Sequence, residues 1–192
     1  MSAVFCDIRS IDVNLINKDE VFAIDTNVLL WTHYSKASDP SLNKHPYQVI
    51  DYPNFIAKLL ANGNKLVTTV LNISELISIV EKNEFKIYKV SNSCYGMKIK
   101  DYRKILSERL TYQKEINNML MEIKSSYNDR IEVIDITKEK LENFCNEIDK
   151  NMCDVFDSMI IEYLKSISIV NYISDDKDFL SIDGINLFTA YE

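Results

Sequence analysis

Apolar residues along this chain fall into short runs, and polar residues that favour the start of a helix follow several of them. A short apolar run bounded in this way is typical of a buried β-strand, and Asp, Thr or Asn is typical of the helix start after it. The runs that fit are 21–24 (VFAI), 65–70 (KLVTTV), 131–136 (IEVIDI), 168–173 (SIVNYI) and 185–189 (INLFT). The pattern predicts strands that are separated by helices.

Helical spacing of apolar residues fills much of the sequence between these runs. The segments with this spacing begin near residue 28 and then cover 55–60, 72–82, 98–127, 137–148 and 151–166. Residues 34–47, which include Pro40 and Pro46, are predicted to form a loop. Strands that alternate with helices predict an α/β fold with a central, mainly parallel sheet and helices on both of its faces.

The segment 98–127 predicts one long amphipathic helix, because its apolar residues recur at steps of three, four or about two turns. At 1.5 Å per residue this helix would be about 45 Å long, which exceeds the width of a small domain. We expect it to project from the core or to pack on a helix of a second copy. Residues 1–20 are polar and are expected to be an N-terminal extension with one short element.

Composition agrees with a single domain over residues 1–192. The chain has 3 Gly and 3 Pro, too few for an all-β protein with many tight turns. Its 4 cysteines are scattered and are expected to be reduced thiols. No apolar stretch fits a signal peptide or a membrane span, so a cytoplasmic protein without a membrane partner is expected. The net charge of −7 neither supports nor excludes nucleic-acid binding, because bound divalent cations would offset part of it.

Acidic residues follow the carboxyl ends of the predicted strands. The members of this set are Asp25, Glu75, Asp154, Asp157, Asp175, Asp176 and Asp178. Asp25 follows the first run directly, and Glu75 lies in the first turn after the second. Asp154 and Asp157 are three residues apart and share one face of a helix. Because parallel strands end at one edge of a sheet, where ligands bind, the acids are expected to converge there.

Each acid also has a purely structural interpretation. Asp25 can cap the helix after it, and Glu75 can complete a capping box with Asn72. Asp154 and Asp157 can be favourable charges at a helix N-terminus, and the acids after the fourth run can form a solvated turn. The set as a whole favours function, because carboxylates held together repel one another by several kcal/mol unless a cation neutralises them. Oxygen ligands without His or Cys favour Mg²⁺ or Mn²⁺.

Four segments of the chain resemble the acidic motifs of PIN-domain nucleases, and they come in the same order. They are AIDTNVLL at 23–30, SEL at 74–76, DSMII at 157–161 and ISDDKDF at 173–179. The resemblance spans about 21–189 and implies a three-layer α/β/α sandwich with endonuclease activity, commonly on RNA. The chain departs from small members of the family over about 84–130, where the long helix is inserted.

The resemblance also implies roles for particular residues. The catalytic and metal-binding acids would be Asp25, Glu75, Asp157 and Asp176, with Mg²⁺ or Mn²⁺ as the cofactor. A metal-activated water would attack the phosphorus, so that no protein nucleophile is required. Auxiliary positions around these acids would be Asp154, Asp178, Thr26 and Asn27. Small members of the family often act as toxins that a cognate antitoxin protein neutralises, which implies a protein partner of that kind.

The most basic stretch of the chain is the candidate RNA-binding surface, with RNA favoured over DNA. Its cations, which are interleaved with tyrosines, include Lys98, Lys100, Arg103 and Lys104. Cations can contact phosphates, and aromatic rings can stack on bases. The structural alternative is a solvated helix face with its tyrosines turned to the core. The apolar stripe of the same helix could instead be buried by a protein partner or in a homodimer.

Other functional classes stay open at this point. A Mg²⁺-dependent phosphatase of the haloacid-dehalogenase type also has an Asp after a strand, but Asn27 stands where its second Asp belongs. A phosphoreceiver domain needs an Asp at the end of a middle strand, and no convincing candidate is found. A non-catalytic nucleic-acid-binding or scaffold protein with a PIN-like fold is the third alternative, and the presence of all four motif acids argues against it.

Overall fold

The computed structural model describes residues 2–42, 45–125, 131–137, 139 and 153–190, which fold around one parallel sheet. Its strands are β1 (Val4–Asp7), β2 (Val21–Ile24), β3 (Lys65–Thr69), β4 (Ile131–Ile134), β5 (Asn171–Ile173) and β6 (Asn186–Thr189). They lie in the order β1-β6-β5-β2-β3-β4, and each neighbouring pair is parallel. The predicted α/β class with a mainly parallel sheet is confirmed.

Helices connect most of these strands. They are α1 (Thr26–His33), α2 (Gln48–Asn62), α3 (Val70–Ser91), α4 (Ile99–Tyr102), α5 (Leu106–Ser125) and α6 (Val155–Ser166), with short 3-10 helices at Val13–Leu15 and Lys177–Ser181. In the part of the chain that the structure describes, no helix is both long enough and apolar enough to cross a membrane.

Side chains of the central strands alternate between two cores, one on each face of the sheet. In β2, Phe22 and Ile24 point into the core that α1, α2, α3 and α5 cover. Ala23 points into the opposite core, which α6 and the 3-10 helix at Lys177–Ser181 cover. A parallel sheet buried on both faces requires this arrangement, and the three predicted layers are present.

The strand order creates a crevice at the carboxyl ends of β2 and β5. From β2 the chain moves outwards to β3 and β4, and it then returns to form β5 on the other side of β2. The segments that follow β2 and β5 therefore diverge to opposite faces of the sheet. Open α/β sheets bind ligands at such a switch point. Asp25 follows β2 directly, and Ser174 follows β5.

Helix α3 begins two residues before the predicted start at Asn72. Thr69 is its N-cap, because its hydroxyl accepts a bond from the Asn72 amide while the Asn72 side chain accepts one from the Thr69 amide. Asn72 is therefore the third residue of helix α3 and closes the capping box, rather than opening it. The structural interpretation of Glu75 as a partner in that box is wrong.

The N-terminal segment 1–20 contributes to the sheet. Strand β1 pairs in parallel with β6, so that Val4 lies opposite Asn186 and Asp7 lies opposite Thr189. Val4 and Phe5 are exposed on this outer strand, which explains why the sequence shows no buried run there. The segment therefore supplies an edge strand of the sheet, whereas the sequence predicts only an N-terminal extension with one short element.

The predicted single helix over 98–127 is wrong in two respects. The chain leaves the helical path at 103–105, between α4 and α5, after Tyr102 has been buried against Phe85, Tyr88 and Tyr112. Helix α5 does not project from the core, because it packs on α1 and α3 and buries Met119 and Ile123. A helical repeat does not reveal such a break, since the apolar spacing continues across it.

Two further predicted helices lie partly or wholly among residues that the structure does not describe. The helix predicted over 137–148 lies outside the described residues apart from positions 137 and 139. The helix predicted from 151 begins at Val155, and Asp154 is its N-cap.

Candidate active site

Asp25 lies at the switch point and is held from both sides of the crevice. Its Oδ1 accepts a hydrogen bond of 2.6 Å from the backbone amide of Thr26, as expected for an N-cap. Its Oδ2 accepts a bond of 2.9 Å from the hydroxyl of Ser174, the buried residue that follows β5. Capping and the contact with the neighbouring strand end together orient this carboxylate.

Glu75 lies in an early turn of α3 and is joined to α1 by a hydrogen bond. The hydroxyl of buried Thr26 donates to Glu75 Oε2 at 2.6 Å. The same hydroxyl accepts a bond of 3.1 Å from the side-chain amide of buried Asn72. Thr26 therefore links the segment after β2 to the helix after β3.

Asp157 is in the first turn of α6, and Asp154 caps that helix. Asp154 Oδ1 accepts bonds from the backbone amides of Phe156, at 2.8 Å, and Asp157, at 3.0 Å. Asp157 is half-buried, whereas Asp154 is exposed. The structure thus gives Asp154 a capping role that fixes the backbone of Asp157.

Asp176 follows β5 and caps the 3-10 helix that covers one core. Its Oδ1 accepts a bond of 2.9 Å from the Asp178 amide, and its own amide donates to the Ser174 hydroxyl at 3.1 Å. Asp178 is exposed on that short helix. Asp175 turns away, because its carboxylate accepts bonds from the hydroxyls of Tyr47 and Tyr52.

Asp157 lines a cleft together with Glu75 and borders a small cavity together with Asp25, and the charges of Glu75 and Asp176 act on both Asp25 and Asp157. Burial is the largest cause that raises the pKa of Asp25, to about 7, and the charges of Glu75 and Asp176 raise it further. Burial likewise raises the pKa of Asp157 to about 8, with contributions from Asp25, Asp154, Glu75 and Asp176. Hydrogen bonds from Ser174 and Thr26 act in the opposite direction on Asp25. The site favours a proton or a cation among these carboxylates.

A cleft of about 370 Å³ opens between the first turns of α3 and α6. Its lining residues are Leu71, Ser74, Glu75, Ser78, Asp154, Phe156, Asp157 and Ile160. Apolar and acidic side chains therefore share this opening, and the ring of Phe156 is 64% exposed beside Asp157. Within the described ranges, no three His, Cys, Asp or Glu side chains form a ready-made metal-binding group.

Of the two auxiliary residues predicted in α1, one contacts a site acid and the other is exposed. Thr26 contacts Glu75, as described above, while Asn27 is exposed in the first turn of α1. Sequence reasoning missed Ser174 and Asn72 as residues that orient the acids. The only local signal was their polarity next to a strand end or a helix start.

Two of the cations predicted to bind RNA are engaged in ion pairs. Arg103 donates to both carboxylate oxygens of Glu81, and Lys104 contacts Asp101 at 2.8 Å. These contacts favour the structural interpretation for Arg103 and Lys104. Lys98 and Lys100 lie exposed at the start of α4, and their role in RNA binding stays a prediction.

Comparison with known proteins gives a distant likeness to solved structures and nothing closer. No family model matches the chain, and no curated protein matches it. Among solved structures, the chain is similar to VapBC2 from Rickettsia felis, crystallised with a DNA fragment from its promoter, with 16% sequence identity and a TM-score of 0.48. The similarity covers 87% of this chain and 96% of that chain. An identity this low says nothing about activity.

Proposed function

We propose that this protein is a PIN-like, divalent-metal-dependent endonuclease that hydrolyses phosphodiester bonds in RNA. The observation that carries the proposal is that Asp157 lines a cleft with Glu75 and a small cavity with Asp25, near the switch point of a parallel sheet, where the charge of Asp176 also acts on Asp25 and Asp157. These acids come from four separate segments, and their charges act on one another. A purely structural role as helix caps applies to Asp25 and Asp176 and leaves Glu75 and Asp157 without an explanation.

The chemistry of the donor atoms, rather than their spacing in this structure, fits Mg²⁺ or Mn²⁺. The donors are carboxylate oxygens, which these cations prefer. A cation would offset the burial, and the smaller repulsion between charges, that raise the pKa values of Asp25 and Asp157. His33 lies elsewhere, buried in α1 with its Nδ1 3.7 Å from Glu122. When bound, the cation supplies charge neutralisation and lowers the pKa of a coordinated water.

Hydrogen bonds within the protein would orient the acids for binding a cation. Ser174 and the Thr26 amide hold the carboxylate of Asp25, and the Thr26 hydroxyl holds that of Glu75. Each carboxylate oxygen has two lone pairs, so an oxygen that accepts one hydrogen bond can also bind a cation. Because burial and neighbouring charges raise the pKa of Asp25 to about 7 and that of Asp157 to about 8, both carboxyls would be partly protonated near neutral pH until a cation replaces the protons.

A protein partner is part of the proposal, since the amphipathic helix predicted from the sequence keeps exposed apolar residues. Leu106, Leu110 and Met121 of α5 are all more than half exposed, at 65%, 56% and 66%. The buried side of α5 is used within the chain, so these residues form a separate face. Size measurements of the purified protein test this: a dimer would indicate that a second copy covers the face, and a monomer would favour an antitoxin-like protein.

The test of the function is cleavage of end-labelled single-stranded RNA and DNA pools in EDTA, Mg²⁺ or Mn²⁺. Wild type would be compared with Asp25→Asn and Asp157→Asn, and with Asp19→Asn as a matched control. Asp19 is exposed and precedes β2, at the opposite end of the strand from Asp25. Metal-dependent cuts that both site variants lose and the control keeps would support the proposal. Absence of cuts in every pool, together with no binding of Mn²⁺ by calorimetry, would refute it.

A further inference from the structure

A second cleft lies on the same edge of the sheet, next to the acidic crevice. Its volume of about 510 Å³ is within the range of roughly 300–1,000 Å³ that is common for ligand sites. Its lining residues are Arg9, His45, Tyr47, Gln48, Asp175, Lys177 and Ala190. They belong to the segments that follow β1, β5 and β6 and to the start of α2. The second cleft therefore extends the carboxyl edge of the sheet from β5 towards β1.

One short loop separates the second cleft from the acidic crevice. Asp176 acts electrostatically on Asp25 and Asp157, whereas its chain neighbours Asp175 and Lys177 line the second cleft. Consecutive Cα atoms are about 3.8 Å apart. The loop 175–177 therefore borders both sites, and a polymer that is bound at the acids and crosses this loop would enter the second cleft.

The charge of the second cleft differs from that of the acidic crevice. Arg9 and Lys177 contribute fixed positive charges, and both are exposed. Asp7 holds Arg9 through a contact of 3.1 Å to its Nε, and a guanidinium has five N–H donors with which to serve more than one acceptor. The cleft thus offers cations where the neighbouring crevice offers carboxylates.

Asp175 is the carboxylate among the described lining residues, and its oxygens accept hydrogen bonds from buried Tyr52 and from two other lining residues, Tyr47 and Gln48. Its Oδ1 accepts a bond of 2.6 Å from Tyr52, and its Oδ2 accepts one of 2.8 Å from Tyr47 and another from Gln48. Asp175 therefore positions Tyr47 and Gln48 in the wall of the cleft. The rings of His45 and Tyr47 lie 5.9 Å apart, which places aromatic faces beside the two cations.

We propose that the second cleft binds the nucleotide next to the scissile bond, with Arg9 and Lys177 at a phosphate and an aromatic ring of the lining against the base. Cations with nearby aromatic side chains form the usual site for single-stranded nucleic acid. The inference rests on the proposed function, because it assigns a substrate to that same site. It places the substrate path over β5, β6 and β1 rather than along α4.

Binding of a fluorescein-labelled single-stranded RNA pool, followed by anisotropy in EDTA, tests the inference without cleavage. Arg9→Ala and Lys177→Ala should each weaken binding about fivefold, and each should lower the slope of log K against log salt by about 0.7. Lys177→Arg should retain binding. In Mn²⁺, the two alanine variants should raise KM and leave kcat nearly unchanged, as expected for a loss of uniform substrate binding.

Lys58→Ala is the matched control. Lys58 is exposed and lines another cleft of similar size, about 490 Å³, formed by the last turns of α2 and residues before β2. One outcome is that wild type cleaves RNA while Arg9→Ala and Lys177→Ala bind it with unchanged affinity and salt slope. That outcome would overturn the RNA-binding role of the second cleft and leave the proposed nuclease function standing. Equal losses in Lys58→Ala would also overturn that role, since they would indicate a diffuse charge effect. A wild-type protein that neither binds nor cuts RNA would overturn both proposals.

Discussion

The hydroxyl of Thr26 donates to Oε2 of Glu75 over 2.6 Å, and this bond joins the residue after Asp25 to helix α3. The same hydroxyl accepts from the side chain of Asn72. Two acids of the crevice are thereby positioned by neighbouring groups, one through the amide of Thr26 and the other through its side chain. The arrangement depends on a threonine or serine at this position, because no apolar residue can serve both partners.

Thr26→Val should lower both activity and stability. The substitution leaves the buried side-chain amide of Asn72 without an acceptor, which should lower the free energy of unfolding by about 1–3 kcal/mol. It also removes the hydrogen bond that orients the carboxylate of Glu75, which should reduce the cleavage rate by about tenfold or more. Urea unfolding and cleavage rates measure the two effects. Thr26→Ser should restore most of both. Thr32→Val is a matched control in the same helix, because Thr32 donates to the carbonyl of Val28 at 2.8 Å; equal losses in that control would contradict the assigned role.

Local sequence patterns could predict the positions of the acids. Asp25 follows an apolar run that can only be a short strand, and its capping chemistry fixes the start of α1. Asp154 and Asp157 are likewise placed by the rule for helix starts. The α/β class followed from the alternation of such units. The expectation that the acids lie near one another followed from parallel strands, which all end at the same edge of the sheet.

Contacts across the sheet could not be predicted from these patterns. Ser174 reaches Asp25 because β2 and β5 pair with Ile24 opposite Ile173, although the two site residues are 149 positions apart. The sequence gives no register between strands that are so distant. The same limit applies to Arg103, whose partner Glu81 lies on another helix. It also applies to Tyr102, whose burial accompanies the end of α4.

The stability of the metal-free protein should fall as the pH rises. The pKa of Asp25 is raised to about 7 and that of Asp157 to about 8, mainly by burial, while both carboxyls have ordinary pKa values near 4 when unfolded. Between about pH 4 and pH 8 the folded state therefore binds more protons than the unfolded state, and the free energy of unfolding decreases with pH. Unfolding in urea with EDTA, from pH 5 to 9, measures this slope.

Asp157→Asn should flatten that pH dependence, and Mg²⁺ should offset it in the wild type. A cation that binds the ionised carboxylates stabilises the folded state most at the pH where the protons have left. Asp19→Asn should behave as wild type does. A wild-type protein whose stability rises steadily from pH 5 to pH 8 in EDTA would contradict the raised pKa values, and an equal effect of Mg²⁺ on Asp157→Asn would argue against this site.

Substitutions of Asp154 should separate its cap from its charge. Asp154→Ala removes the bonds to the amides of Phe156 and Asp157, and it should cost about 1 kcal/mol in unfolding free energy. Asp154→Ser keeps a cap acceptor and should recover most of that loss. Both variants remove a charge that raises the pKa of Asp157, so both should lower the midpoint of its titration, measured by carboxyl carbon NMR. A cap effect without any shift of the midpoint would place Asp154 outside the acid cluster.

Glu84 offers a test of whether the segment predicted as an insertion over 84–130 belongs to the core. This residue of α3 is 4% exposed and accepts a bond of 2.6 Å from the Tyr34 hydroxyl and an ion pair of 2.6 Å from Lys36. Glu84→Ala should lower the free energy of unfolding by about 2–4 kcal/mol, because it leaves two polar partners at a buried position.

The matched control is Glu132→Ala, since Glu132 and Lys65 form an ion pair of 3.9 Å whose side chains are both largely exposed. That variant should lose no more than about 1 kcal/mol. Cleavage per folded molecule should stay near that of wild type in both variants, because neither residue faces the acidic crevice. If Glu84→Ala and Glu132→Ala lower the free energy of unfolding equally, Glu84 does not anchor α3 to the segment after α1. Apolar contacts alone would then hold α3 in place.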